Sequence, residues 1–298
     1  MKLEDYKHLV EAGLVKTRIS PCGNMVIVKY ARKVFYDHLW STDPLLLEAR
    51  GHVFDLNTGE VIVRPFKKVF NLGEEGAGRH LTDHHRVTLV EKVNGFMLSV
   101  TKHNGQLVFS TTGSLDSDYV AMGKEYIKNG KDSFIEGFTY NFEICHPNDP
   151  HIVEEKPGAY MIGVRDVVTG YQWLEHLLDD HAESMGFLRP EHMECSWRKA
   201  KKLIAESKKE GYMIRVTGGG EIIKAKSNHY LTKKFLMRLT DRRVKEMYDN
   251  TEVFLKTIDE EFEQIVLDIV SEIPQDVFIN MNEAHRRAWM EDKINAQR

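Results

Sequence analysis

The sequence of 298 residues has no apolar run approaching the length of a membrane span, and its opening, Met1-Lys2-Leu3-Glu4-Asp5, lacks the hydrophobic stretch of a secretory signal. A cytoplasmic protein is therefore expected. Cysteine is scarce. Cys22, Cys145 and Cys195 are odd in number, widely spaced and without a Cys-x-x-Cys pair, which points away from a disulfide framework and from a cysteine zinc site. Surplus basic charge is missing too: the formal net charge is -4 at pH 7, so any surface for nucleic acid must be local. There is no internal repeat and no low-complexity tract. What remains is an ordinary globular chain, long enough for one large or two modest domains.

Helical spacing of Leu9, Val10, Leu14 and Val15 predicts a helix over 6–15, after which Pro21-Cys22-Gly23-Asn24 turns the chain into a strand over 25–30. Residues 48–55 and 61–64 read as a hairpin around Asn57-Thr58-Gly59-Glu60. A charged, glycine-rich loop over 75–80 is expected to be a mobile lid. Strands are predicted at 86–90 and 96–101, with Asn94-Gly95 between them signalling a tight turn of positive φ. Further strands are expected at 107–112, 138–144, 160–166, 211–216 and 221–225, with Thr217-Gly218-Gly219-Gly220 turning between the last two, and helices at 119–127, 174–185 and 198–209.

From Leu231 to Lys293 the periodicity is helical throughout. Phe254, Leu255, Ile258, Phe262, Ile265, Val266 and Ile269 recur at spacings of three and four, and Asp259, Glu260, Glu261, Glu263 and Asp268 cover the outer face. A domain boundary is drawn there, giving domains 1–230 and 231–298. The acidic face should repel nucleic acid. Lys233, Lys234, Arg238, Arg242, Arg243 and Lys245, nearer the boundary, are the better candidates for an RNA surface.

Several residues carry potential chemistry. Lys92 lies beside the Asn94-Gly95 turn, where a lysine can meet a nucleotide phosphate, although a solvated lysine in a hairpin has the same pattern. Glu143 interrupts an apolar strand, and a carboxylate is expensive to bury there unless it is paired or holds a ligand. Lys224 and Lys226 are two apart in a strand and project from the same face. Their ammonium groups repel unless an anion lies between them; an edge strand blunted by lysine is the ordinary alternative.

The order Arg50-Gly51, Lys68-Val69-Phe70-Asn71, Lys92-Val93-Asn94-Gly95, Phe142-Glu143, Glu210-Gly211-Tyr212-Met213-Ile214 and Lys224-Ala225-Lys226 resembles the covalent nucleotidyltransferase superfamily of ligases and capping enzymes. Within it the chain resembles the phage ATP-dependent RNA ligases of the T-even tRNA-repair type, over roughly residues 45–230. Two departures stand out: Asn94 occupies a position where many members have Asp, and the helical tail is short for the T-even type.

The resemblance implies an α+β fold, with a nucleotidyltransferase (adenylation) domain of antiparallel sheets with flanking helices, plus a small all-helical C-terminal domain. It also implies Lys92, Lys224 and Lys226 as catalytic residues, and Arg50, Lys68, Glu91, Asn94, Gly95, Glu143, Glu210 and Tyr212 as ATP-binding residues. Glu143 and Glu210 would serve Mg²⁺ (or Mn²⁺), and Tyr212 or Phe142 would flank the adenine. The implied partners are ATP and RNA with 5′-phosphate and 3′-hydroxyl ends, with no membrane and no obligate protein partner; a phage-encoded chain would act in the host cytoplasm. Two alternatives follow from the same residues. One is mRNA capping or DNA nick sealing, which would normally add an OB-type barrel where helical periodicity begins. The other is an RNA-binding module without chemistry.

Overall fold

A computed structural model describes residues 1–128, 131–149, 151–217, 220–258 and 262–296. The expected acidic positions Asp259, Glu260 and Glu261, the Gly218-Gly219 pair and the side chain of Arg238 lie outside that description. In chain order the described strands are β1 (Val15–Ile19), β2 (Met25–Tyr30), β3 (Arg50–Asp55), β4 (Val61–Val63), β5 (Phe70–Asn71), β6 (Arg86–Glu91), β7 (Phe96–His103), β8 (Gln106–Ser110), β9 (Phe138–Cys145), β10 (Gly158–Asp166), β11 (His192–Ser196), β12 (Gly211–Val216) and β13 (Ile222–Lys226). The chain divides into two units, Met1–Val69 with Val93–Glu191, and Phe70–Lys92 with the remainder from His192. The fold is α+β, and its sheets are antiparallel apart from one short parallel contact between β13 and β5.

The first unit holds two four-stranded sheets, in the orders β1-β2-β3-β4 and β10-β9-β7-β8. In the second of these, alternation sends Leu98, Val100, Tyr140, Phe142 and Ile144 into a core shared with Leu178, Ala182 and Met185 of helix Glu175–Met185. The opposite face is polar. Ser99 Oγ donates to Asn141 Oδ1 at 2.8 Å, and the Thr101 and Thr139 hydroxyls meet at 2.8 Å. Glu143 lies at one end of this polar ladder, opposite Met97.

The second unit is built on a five-stranded sheet of order β11-β6-β12-β13-β5. Val87, Leu89, Ile214, Val216, Ile223 and Ala225 point to one face, where Trp197, Ala200 and Ile204 of helix Trp197–Glu206 cover them. The basic residues of that helix, Arg198, Lys199, Lys201 and Lys202, lie on its exposed side. Helices Asn228–Arg238, Asp241–Asp249, Thr251–Leu255, Glu263–Glu272, Gln275–Asn280 and Glu283–Ala296 follow. Phe254, Phe262, Ile265, Val266 and Ile269 are buried, as their spacing predicts, but Phe254 lies on one helix, Ile265, Val266 and Ile269 on another, and Phe262 just before the latter.

Other expectations change. The predicted helix over 6–15 stops at Glu11, Gly13 takes φ +65°, and Val15 begins β1. Lys16, Thr17 and Arg18 give that edge strand no apolar alternation, so periodicity conceals it. Asn94 and Gly95 do not make a hairpin turn: neither has positive φ, and β6 and β7 belong to different sheets. The segment expected to be a lid over 75–80 packs in part against the sheet unit. Ala77 is buried, a Cβ on Gly78 would meet Leu72 at 2.8 Å, and Asn71 N–H donates to Glu74 Oε2 at 2.7 Å.

Candidate active site

In the second unit, β6 ends at Glu91, but the ladder continues one residue further because Lys92 N–H donates to Gly211 O at 3.0 Å. Gly211 pairs in turn with Lys226, and Met213 pairs with both Val90 and Lys224. Strand alternation therefore sets Lys92, Lys226 and Lys224 on the sheet face opposite the apolar core. Gly211 separates Lys92 from Lys226 in one cross-strand row. Its φ is +140°, and a Cβ there would come within 2.1 Å of Ala225 O, so no larger residue fits without moving the backbone.

Lys92 Nζ lies 2.9 Å from Glu210 Oε1, with the Glu210 side chain 4% exposed. The neighbouring residues make a reciprocal pair, Lys209 with Glu91. Glu91 and Tyr212 are register partners on the face opposite the lysines, where Tyr212 packs against the core. Lys226 Nζ stands 5.7 Å from the Tyr230 ring centroid, a cation–π contact. Ser227 caps helix Asn228–Arg238 by accepting from Tyr230 N–H, and its own hydroxyl donates to Lys209 O at 2.6 Å. One serine thus ties the end of β13 to the segment bearing Glu210.

In the first unit, Gly95 N–H donates to Glu143 Oε1 at 3.2 Å, and Asn94 Oδ1 accepts from Val153 N–H at 3.1 Å. Gly95 is required by close approach, since a Cβ would fall 2.2 Å from Ile144 O. Arg50 Nη1 contacts Met97 Sδ at 3.8 Å, and Met97 is the register partner of Glu143. The structure thereby brings Arg50, Asn94, Gly95 and Glu143 to one end of the β7–β9 pair. Lys68 is buried, with Nζ 4.9 Å from the Trp40 ring centroid and 5.6 Å from that of Phe35. Phe142 is fully buried in the core against Phe187, so it is not exposed to flank an adenine.

Sequence reasoning missed the scaffold behind Arg50 and Lys68. Arg165 gives two hydrogen bonds to Glu48, at 2.9 and 2.8 Å, and a third to Pro65 O at 2.6 Å. Lys68 N–H donates to Leu47 O at 2.7 Å, so one guanidinium fixes the segments on which both cations stand. Burial alone would raise the Glu48 carboxyl, but hydrogen bonds from His52 and Arg165 and the Arg165 charge outweigh it and hold the group well below the usual carboxylate range. Burial pushes His52 down despite its contact with Glu48. Arg165 stands beside Asp166 at the end of β10, and nothing local in the sequence names Glu48 as its partner.

Among the described residues no three His, Cys, Asp or Glu side chains converge as a ready-made metal cage. Glu143 and Glu210 still fit Mg²⁺. Each has carboxylate oxygens, and Mg²⁺ commonly takes one or two protein carboxylates beside water and substrate phosphates.

The second unit thus carries Lys92, Lys224 and Lys226 on one sheet face, and the first unit carries Arg50, Lys68 and Glu143. The RNA ligase family model matches residues 48–248, and the chain belongs to that family. RNA ligase 1 of bacteriophage TS2126 is 30% identical over 209 residues, which is 64% of this chain and 52% of that protein. The chain spans about half the length of the curated relatives it matches, 48% and 52%. Two solved structures of an archaeal ATP-dependent RNA ligase align over 97% of this chain and 75% of theirs, with TM-scores of 0.62 and 0.63 at 15% identity. At that identity the likeness speaks for the fold.

Proposed function

We propose that the chain is an ATP-dependent RNA ligase that works through lysyl-AMP and RNA-adenylate intermediates. The observation that carries this reading is the row Lys92–Gly211–Lys226, with Lys224 on the same face, in a chain of the RNA ligase family. Lys92 Nζ attacks the α-phosphorus of ATP; a P–N bond forms and pyrophosphate leaves. The RNA 5′-phosphate oxygen then attacks the AMP phosphorus and the P–N bond breaks, returning the amine. The RNA 3′-hydroxyl finally attacks the 5′-phosphorus and AMP departs.

An ordinary lysine, with a pKa of about 10.4, is mostly protonated at neutral pH, so the attack needs the amine freed from its pairing with Glu210. Positive charge on Lys224 and Lys226 favours the neutral amine and offsets charge growing on the phosphate oxygens. Arg50 and Lys68 grip the β- and γ-phosphates, and Asn94 and Gly95 let backbone approach the nucleotide. Glu91 and Tyr212, expected to bind ATP with Tyr212 or Phe142 against the adenine, stand instead on the core side of the sheet, away from the lysines. Glu143 and Glu210 would hold Mg²⁺ or Mn²⁺, which supplies further neutralisation of phosphate charge.

The finer readings rest on the resemblance described above. The favoured RNA is a broken tRNA, the favoured setting a phage-encoded repair enzyme in its host cytoplasm. Residues 1–230 act as the adenylation domain and 231–298 as a helical domain, a division supported by the change from strands to helices after Lys226.

The test supplies ATP, Mg²⁺ and 5′-phosphorylated single-stranded RNA, with DNA of the same sequence in parallel. Joined RNA, preceded by adenylylated RNA, is expected. Sealing of nicked DNA without RNA joining would make the chain a DNA ligase, and labelling by GTP but not ATP would make it a capping-type enzyme.

A further inference from the structure

Across the first three strands of the first unit lies a row of cations. Lys16 on β1 pairs in register with Lys29 on β2, and Lys29 pairs with Arg50 on β3. Cross-strand neighbours with like charge destabilise a sheet. Lysine on an edge strand often serves to block aggregation, which accounts for Lys16 on β1 but not for Lys29 or Arg50, because β2 and β3 are inner strands.

Four other arginines of this unit are paired with carboxylates, Arg18 with Asp116, Arg64 and Arg165 with Glu48, and Arg189 with Glu175 and Asp179, whereas Arg32 adds a further positive charge near Lys29. Among the described residues no carboxylate pairs with Lys16, Lys29 or Arg50. The groups facing Lys29 do not relieve this. Partial burial and then the charges of Arg50 and Arg32 push its ammonium pKa down. The overlying loop approaches Lys29 with Gly113, where a Cβ would stand 3.5 Å from Lys29 Nζ, and Asp116 of the same loop is taken by Arg18. Lys16 and Lys29 nonetheless remain open to solvent.

We propose that Lys16 and Lys29 bind the phosphodiester backbone of the RNA strand being joined, on a track that starts beside Arg50 and runs to the sheet edge. The proposal rests on the ligase reading above. Neighbouring strands are about 4.8 Å apart, so the row extends roughly 10 Å, a linear spacing that suits successive phosphates of a strand better than a compact triphosphate. Lysines meeting phosphates as point charges hold the backbone without reading its bases. Both lysines precede residues 48–248, so the family match does not assign them a role.

The test uses the full chain with Lys16→Met, Lys29→Met, the double variant and the double Lys→Arg variant. Binding of 5′-phosphorylated oligoadenylate is measured across a salt series, and adenylylation by ATP is measured on the same preparations. For two lost contacts, the double Met variant should bind RNA about tenfold more weakly and show a salt slope lower by about 1.4, while the Arg variant retains wild-type affinity. Adenylylation, which uses no RNA, stays at the wild-type level. Unchanged RNA affinity and slope in the double Met variant overturns the track. So does a raised KM for ATP with RNA binding intact, which would give the row to the triphosphate. A wild-type protein that binds RNA but never becomes adenylylated would instead defeat the ligase reading and leave the binding arm to judge the row by itself.

Discussion

Glu48 in the first unit takes two hydrogen bonds from Arg165, with Arg64 3.6 Å and His52 3.3 Å away, and the group is enclosed. Lys92, Lys224 and Lys226 in the second unit instead share a sheet face and keep part of their surface in solvent. The first arrangement balances charge inside the chain and holds segments together. The second sets three lysines side by side on one face, with Lys92 paired to Glu210. Removing a member of each should therefore act on different observables.

The largest expected effect is on stability. Glu48→Gln leaves the Arg165 guanidinium, 4% exposed, without its counter-charge and should cost about 3–5 kcal/mol, read from urea unfolding. Lys226→Met reverses the pattern: stability should move by less than about 0.5 kcal/mol, while adenylyl transfer slows about 100-fold to 1,000-fold. An equal loss of stability in both variants would erase the distinction. Gly95→Ala should cost at least about 2 kcal/mol, because its Cβ meets a backbone oxygen that cannot swing aside.

Acid should expose the same contrast. A carboxyl held low in the folded state contributes stability above its ordinary value of about 4.3, and that contribution is lost as pH falls through the folded value. Urea midpoints should decline below about pH 4, and Glu48→Gln should flatten that decline. The smallest effect belongs to Lys209→Met, since the half-exposed pair with Glu91 is worth less than about 1 kcal/mol.

The parts of the candidate site that were legible depend on local rules. Two-residue periodicity put Lys224 and Lys226 on one face, and the order of short motifs pointed to Lys92, Glu143 and Glu210. What stayed hidden depends on distant partners. Gly95 reads as a turn residue, yet its constraint is Ile144 O on another strand. The Glu48–Arg165 clamp joins residues 117 apart, and no local pattern announces it. Lys16 lies in a polar stretch and Lys29 ends the apolar run Met25-Val26-Ile27-Val28, and nothing links the two until register aligns them with Arg50. β1 itself escaped notice because an edge strand exposed on both faces needs no apolar alternation.

The central claim is that Lys92 becomes covalently attached to AMP. Folded protein cleared of any pre-bound AMP is incubated with α-labelled ATP and Mg²⁺, then analysed by denaturing electrophoresis and peptide mapping beside Lys92→Ala. Label confined to the Lys92 peptide, and absent from the variant, is the predicted result. Label persisting in Lys92→Ala, or no label on folded wild type with any nucleotide, would contradict it.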